Sequence, residues 1–424
     1  MKLKINKQIT YKTFVTLLLI GILTISQFAV FSQNAKVVGY LPTYRFDYNT
    51  SISYCKVTHL NICFANPDSD GNLQIDNFTE IMDSARAQNP NIVICISVGG
   101  GGLDEAKKQI WSDLIDKPAN RPAFISKIID FVESNNLDGV DVDLEWSAIT
   151  SGYTGFVISL SDSLHTAGKI MTSALPGTYR YPEVTDAVLQ ANDFINLMAY
   201  DETGPWNPNK PGQHSSYDFA VRSINFWKNR GVPGDKLTLG VPFYGYNFGG
   251  NNVTEFRYAS VVNIDTKYAD LDQMKTAYYN GRPTIRKKVE LASQKVSGIM
   301  IWELAQDRFD EYSLLTTIHD KYAALGFTTT GLCKTPTNTL LIDAPQIVIY
   351  PNPATSVVYI ENINPQADFI KIYNLTGKEI QTPQNIYDNK TELNISGLNS
   401  GIYIIRITGD SFSESKKLII NNGN

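Results

Sequence analysis

An α/β chain, a closed (β/α)8 barrel followed by a small all-β sandwich, is the architecture this sequence predicts, and three observations predict it. Eight strand-like apolar runs recur between Val37 and Glu303. Between them lie segments with apolar residues at three- and four-residue spacing, the period of helices laid on a sheet. Beyond residue 326 the chain changes to short alternating segments broken by turn residues, the pattern of a sandwich. Repeated βα units in that number close into a barrel, with chemistry gathered at the carboxyl ends of the strands.

The elements follow in order. Residues 1–32 read as a secretory signal: Lys2, Lys4, Lys7 and Lys12 precede the apolar run Phe14 to Ile25, and Val30-Phe31-Ser32 offers small residues for cleavage. The exported chain then starts near Gln33, with no stable membrane span after cleavage. A retained anchor is the other reading, because the apolar run is nearly long enough to cross a bilayer. Residues 33–326 hold the barrel, with strands expected at VVGYL (37–41), HLNICFA (59–65), IVICISV (92–98), GVDVDLE (139–145), KIMTSAL (169–175), FINLMAY (194–200), LTLGVPF (237–243) and SGIMIWE (297–303). Crossover helices are expected at 124–134, 154–168 and 220–231. A connector rich in Thr follows at 327–344, and the sandwich occupies 345–424.

Composition narrows the chemistry. The chain has 424 residues, is 43% hydrophobic and carries a net charge of −5 without any Lys/Arg cluster. Nucleic acid is therefore excluded as a partner, and a neutral or small substrate fits better than a polyanion. Cys63 and Cys95 sit inside apolar strand patterns, Cys55 and Cys333 stand alone, and only four histidines are scattered along the chain. With no zinc spacing, the cysteines read as buried small hydrophobes, and neither a metal nor another cofactor is implied.

The stretch DGVDVDLEW (138–146) carries the sharpest signal. Val140, Val142 and Leu144 alternate with Asp141, Asp143 and Glu145, so one face of the strand is apolar and the other acidic. Same-face residues lie roughly 6.6 Å apart along a strand, which lines three carboxylates up on one side. Such crowding is costly without partners. A solvated edge strand would favour Lys, Pro and interruption. A calcium loop would need a turn glycine within its ligand set. Inside a barrel the acidic face instead points to the mouth of the fourth strand, with Glu145 uppermost and Asp143 and Asp141 beneath it.

Asp138, Asp141, Asp143 and Glu145 reproduce the DxxDxDxE signature, and on it the chain resembles the family 18 glycoside hydrolases, the chitinases and their relatives. Ser97-Val98-Gly99-Gly100 resembles that family's third-strand SxGG, Met198-Ala199-Tyr200-Asp201 its sixth-strand MxYD, and IMIWEL its eighth strand carrying a tryptophan. The resemblance implies a retaining, substrate-assisted hydrolysis in which the sugar's own N-acetyl carbonyl is the nucleophile. It implies Glu145 as acid and then base, Asp143 as partner of the acetamide N–H, Asp141 sharing a proton with Asp143, and Tyr200 as donor to the acetamide oxygen. Trp302 would floor the −1 sugar, and Asp201 would contact sugar hydroxyls. Met198, Tyr40, Phe64 and Ser97 would line the site, with Trp146 beyond the acid on the +1 side. Asp138 is off-phase and is expected to be structural, as are Gly99 and Gly100.

Two departures qualify the resemblance. Family chitinases commonly have an aromatic between the last Asp and the Glu and a tyrosine after it, where this chain has Leu144 and Trp146. Only about fifty residues separate PFYGY from IMIWEL, room for a small insertion with Tyr258, Tyr278 and Tyr279 and for a shallow groove suited to internal cleavage. The implied partner is chitin or another N-acetylglucosamine-containing glycan, bound by a monomer. An N-glycan-cleaving endo-β-N-acetylglucosaminidase uses the same residues, and a non-catalytic chitin-binding barrel is the third reading. The C-terminal segment, with YPNP at its start and GIYIIRI near its end, resembles the sorting domain of the type IX secretion machinery, implying a secreted or cell-surface protein. A carbohydrate-binding module is its alternative.

Overall fold

The computed structural model describes residues 34–328, 347–361, 369–374, 378–385, 390–408 and 413–422. Eight parallel strands close a barrel: β1 (Lys36–Pro42), β2 (His59–Pro67), β3 (Val93–Gly99), β4 (Gly139–Asp143), β5 (Ile170–Pro176), β6 (Phe194–Met198), β7 (Leu237–Pro242) and β8 (Gly298–Trp302). Each pairs with its neighbours in sequence, and β8 returns to pair with β1. All eight fall within two residues of the runs the alternation predicts.

Helices at Arg121–Ser134, Tyr153–Thr166 and Tyr217–Lys228 occupy the expected crossovers, joined by others at Thr79–Gln88, Glu105–Ile115, Asp186–Ala191, Arg282–Lys295 and Leu314–Ala324. Their starts are written locally. Asp104, Thr185, Ser216 and Ser313 each accept a backbone N–H of the first turn, and Pro122 and Pro283 fill first-turn positions that need no donor.

Strand period then sorts the side chains into two compartments. Val140, Val142, Leu197, Leu239 and Ile299 face outward into the layer shared with Phe156, Trp227 and Ile318 of the helices. Trp111, Phe124 and Phe156 pack there with ring centroids 5.5–5.8 Å apart. Inside the barrel a separate group forms, including Tyr40, Cys63, Tyr200, Tyr244 and Met300. Burial on this scale, at about 25 cal/mol per Å2 of apolar surface, makes the wall the main source of stability.

After β7 the chain makes the expected small insertion. Strands Tyr244–Asn247, Thr254–Arg257, Gln273–Met274 and Ala277–Tyr278 form a four-stranded sheet, followed and interleaved by short helical turns. Tyr258 and Tyr279 are buried within it.

The C-terminal segment is described by itself. Strands Val348–Tyr350, Val357–Glu361 and Lys390–Asn394 form one antiparallel sheet, and Phe369–Asn374, Glu379–Asn385, Gly401–Thr408 and Ser413–Ile420 another. Their inward residues, Val358, Ile360, Leu393, Ile370, Ile372, Ile405 and Ile407 among them, share one core, as a sandwich requires.

One expectation needs correcting. Cys55 is not a lone buried hydrophobe but disulfide-bonded. An exported chain favours such a bond, and nothing in the local spacing announces it. Cys63 and Cys95 are buried and free. The signal segment and most of the connector lie outside the described residues. Among the described residues no helix is long and apolar enough to cross a membrane.

Candidate active site

The acidic ladder rises through the barrel axis from a floor to a rim. At the floor, register places Ser97 on β3, Asp141 on β4 and Thr172 on β5 side by side in one row. Asp141 is fully buried, and both of its oxygens are occupied. Tyr40 Oη and Ser97 Oγ donate to Oδ2 at 2.8 and 2.7 Å, and Thr172 Oγ1 and Asn196 Nδ2 to Oδ1 at 2.6 and 3.2 Å. Thr238 Oγ1 in turn donates to Asn196 Oδ1 at 2.7 Å. Burial pushes the Asp141 carboxyl up, and these donors pull it back.

Tyr40 and Ser97, expected to line the site, are buried with their hydroxyls on Asp141. Asp141's oxygens take four donors, and no hydrogen bond joins the Asp141 and Asp143 carboxyls in this structure.

One step higher the pattern reverses. Asp143 is also buried, yet its Oδ1 has no hydrogen-bond partner. Burial first, then the charges of Glu145 and Asp141, push its carboxyl well up. Glu145 follows at the strand's end, its carboxyl raised to about 7 by burial and then by the charge of Asp201. Two such neighbours do not ionise independently.

A bare run of glycines makes room for them. Gly99 and Gly100 have φ of +104° and +92°, a region that favours glycine, and Gly100 N–H donates to Asp143 O at 2.7 Å. A Cβ at Gly100 would meet the Phe64 ring at 2.7 Å, and one at Gly101 would meet Glu145 Oε1 at 2.6 Å. Asn66 Nδ2 holds Gly99 O at 3.0 Å, and Trp111 Nε1 holds Asn66 Oδ1 at 2.8 Å.

Around this centre stand the sixth- and eighth-strand residues. Tyr200 is buried, and its hydroxyl's hydrogen-bond contact is a long one, 3.8 Å to Met300 Sδ. Met198 is partly buried in the same interior group. Trp302 stacks on Phe64 with centroids 5.7 Å apart and an interplanar angle of 22°. The Cys63–Phe64 and Trp302–Glu303 peptide bonds are both cis. Asp201, in the left-handed region at φ +64°, accepts Tyr244 Oη at 2.5 Å and Tyr246 Oη at 3.2 Å on Oδ1. Trp146 is 65% exposed beyond the acid, with its N–H on Tyr181 Oη at 3.0 Å. Asp138 lies off the ladder, accepting Ile94 N–H at 2.8 Å.

Several residues of the mouth were not singled out from sequence. Tyr44, Tyr179 and Trp206 are large, exposed aromatics on the loops after β1, β5 and β6. An aromatic shortly after a barrel strand is the signal that could have found them. Glu303 is buried beside Trp302, paired with Arg45 Nε at 3.2 Å, and burial raises it to about 7.

Comparison with known proteins matches this architecture. Residues 36–307 match glycosyl hydrolases family 18, and residues 348–421 match a secretion system C-terminal sorting domain. A family 18 chitinase, ChiB, from the chitin utilization locus of Flavobacterium johnsoniae is 54% identical, with a TM-score of 0.71 over 73% of this chain and 100% of that one. A chitinase from Bacteroides thetaiotaomicron is 28% identical, with a TM-score of 0.60 over 68% and 97%. Among curated proteins, a chitinase-like effector of Moniliophthora roreri is 28% identical over 59% of this chain and 66% of its own length. Chitotriosidase-1 of Mus musculus is 26% identical over 45% and 47%. The chain thus spans between about half and two thirds of the length of these two relatives.

Proposed function

The chain belongs to glycosyl hydrolases family 18, and from that premise we propose that it cleaves β-1,4 linkages between N-acetylglucosamine units of chitin or chito-oligosaccharides, retaining the anomeric configuration. The observation that carries this reading is the contrast within one strand: a buried Asp143 with an unpartnered oxygen, below a Glu145 held protonated near neutrality. An acceptor without a donor inside a protein is costly, and a substrate acetamide N–H relieves it.

The steps follow from that arrangement. The acetamide carbonyl oxygen attacks the anomeric carbon while the glycosidic C–O bond breaks and the leaving oxygen takes the Glu145 proton. Asp143 faces the positive oxazolinium so formed, and Tyr200, loosely engaged by Met300 Sδ, donates to the acetamide oxygen. Glu145, now a carboxylate, takes a proton from water as that water attacks the anomeric carbon and reopens the ring. Trp302 supplies an apolar face for the pyranose. The low wall built by the four short strands after β7, together with exposed Tyr44, Trp146, Tyr179 and Trp206, favours a long chain lying across the mouth and internal cleavage. Residues 348–421 would direct the enzyme through type IX secretion to the cell surface or medium.

The test is hydrolysis of chito-oligosaccharides and of a high-mannose glycoprotein in parallel, with the product anomer read by NMR. The expected result is β-anomer from the oligosaccharides, none from fully deacetylated oligomers, and competitive inhibition by a thiazoline analogue. Preferential release of N-glycans would overturn the substrate, and a covalent sugar ester on Asp143 or Glu145 would overturn the mechanism.

A further inference from the structure

Just beyond the acidic ladder the chain turns sharply. The β4 pairing ends at Val142 opposite Ser173 of β5 and at Asp143 opposite Gly99 of β3. Glu145 is still extended, at φ −129° and ψ 157°, and Trp146 then takes φ +52°, in the left-handed region. Ala148 N–H closes the turn on Glu145 O at 3.0 Å, and Ile149 N–H on Trp146 O at 3.2 Å. A bulky aromatic residue fits that region poorly, because its Cβ crowds the following carbonyl oxygen. With the strand pairing finished, the Trp146 N–H also needs an acceptor from elsewhere.

Tyr181 supplies one. Its hydroxyl oxygen accepts that N–H at 3.0 Å, from 35 residues away in sequence. Tyr181 is buried on the loop between β5 and the helix Asp186–Ala191, and the loop is itself tied down. Val184 N–H returns to Tyr181 O at 3.0 Å, and Thr154 Oγ1 donates to Glu183 O at 2.5 Å. Arg180 Nε donates to Val184 O at 2.6 Å, and its Nη2 to Asp186 Oδ1 at 2.7 Å. The Tyr179 ring packs edge-on against the Tyr181 ring with centroids 4.9 Å apart. Burial raises the Tyr181 hydroxyl, the Trp146 N–H draws it back and the Glu145 charge raises it again, so it stays protonated near neutrality.

We infer that Tyr181 is a positioning residue for the leaving-group side of the cleft: by holding the Trp146 N–H it fixes the turn after the acid and presents the Trp146 indole to the departing N-acetylglucosamine unit. Glu145 protonates the glycosidic oxygen, so what stands immediately beyond it meets the sugar on the far side of that bond. The indole there is exposed, and an indole face packs on the apolar C–H face of a pyranose. Without the hydroxyl, the Trp146 backbone relaxes out of the left-handed region and carries the indole with it. The inference rests on the proposed reading of Glu145 as acid, so one of its readouts is independent of hydrolysis.

That readout is hydrogen exchange at the Trp146 amide. The full chain labelled with 15N-tryptophan has five backbone amide signals, of which Trp146→Phe removes one. In Tyr181→Phe that amide is expected to exchange about tenfold faster, with the other four and the melting temperature unchanged; unaltered exchange overturns the inference. Kinetics then use two probes. Chitopentaose has a leaving sugar, whereas the oxazoline of chitobiose has none and needs only water and Glu145 as base. For Tyr181→Phe, kcat/KM is expected to fall about tenfold on chitopentaose and less than about twofold on the oxazoline. Trp146→Gly should reproduce that fall, and adding Tyr181→Phe to it should cost nothing more, because glycine keeps the turn unaided and has no indole to present. Equal losses on the two probes would mean that the turn serves Glu145 and not the leaving sugar, and additive losses would give the Tyr181 hydroxyl a contact of its own. Either result overturns the inference. Hydrolysis of neither probe by the wild type would overturn the proposed function, and with it the leaving sugar, while exchange still decides whether Tyr181 holds Trp146.

Discussion

Asp141 and Asp143 are two residues apart on one strand, equally buried, and treated in opposite ways. The floor surrounds Asp141 with four donors drawn from β1, β3, β5 and β6. The rim leaves Asp143 Oδ1 without any, crowds it with Glu145, and sets Trp146 and Asp201 in left-handed backbone conformations. A satisfied polar group has nothing left to offer a ligand, whereas an unsatisfied one costs stability until a ligand arrives. The lesson is that chemistry resides where the hydrogen-bond pattern is left open, and rigidity where it is closed.

That division is easiest to break at the rim. Glu145→Gln keeps shape and removes the transferable proton, so kcat is expected to drop by about three orders of magnitude or more with binding of oligosaccharide nearly unchanged; single-turnover kinetics and calorimetry read the two separately. Asp143→Asn retains a hydrogen-bonding amide but no charge for the oxazolinium. Its kcat should fall by about 100-fold, with KM changed much less.

The rim also leaves a signature in stability. Glu145's folded pKa is raised from 4.5 to about 7, so its protonated form favours the folded state. The associated stabilisation is fully present below about pH 4.5 and is lost as pH rises through about 7. Denaturant titrations of the wild type should show a loss on the order of 1–3 kcal/mol across that window, and the same titrations of Glu145→Gln a smaller one.

At the floor the reverse is expected. Thr172→Val removes the 2.6 Å donor to Asp141 and should cost about 1–3 kcal/mol in unfolding free energy while kcat stays within a few-fold of wild type. A large loss of kcat with unchanged stability would erase the distinction between the two levels. The smallest effect belongs to the sandwich, which has its own core. Removal of residues 340–424 should leave hydrolysis of soluble oligosaccharides nearly unchanged and abolish export in the native host, measured by activity in the medium against the periplasm.

Much of this was readable in the sequence, and the reason is local. Period-two alternation in β1 to β8 marks both the strands and which side of each faces inward, so the ladder's acidic face could be assigned to the barrel interior from DGVDVDLEW alone. Depth is a different matter. Tyr40 and Ser97 face inward as the alternation says, but only the register between strands sets Ser97 level with Asp141, and only barrel closure brings the Tyr40 hydroxyl onto the same carboxylate. Asn196 and Thr172 were missed for the same reason, since their meeting with Asp141 spans 55 and 31 residues. Tyr181 lies in an irregular loop with no period to announce it. The Cys55 disulfide leaves no local trace either.

Four identical letters, Gly99 to Gly102, carry unequal burdens. At Gly99 and Gly100 any side chain meets both an unfavourable φ and a close neighbour, Asp143 O or the Phe64 ring. Gly101 has ordinary backbone, but its added Cβ lands on Glu145 Oε1, while at Gly102 nothing lies within 4 Å. The run should therefore tolerate change from its far end: Gly102 is free to vary, a side chain at Gly101 displaces the Glu145 carboxyl rather than the backbone, and the first two positions are held by both conformation and contact.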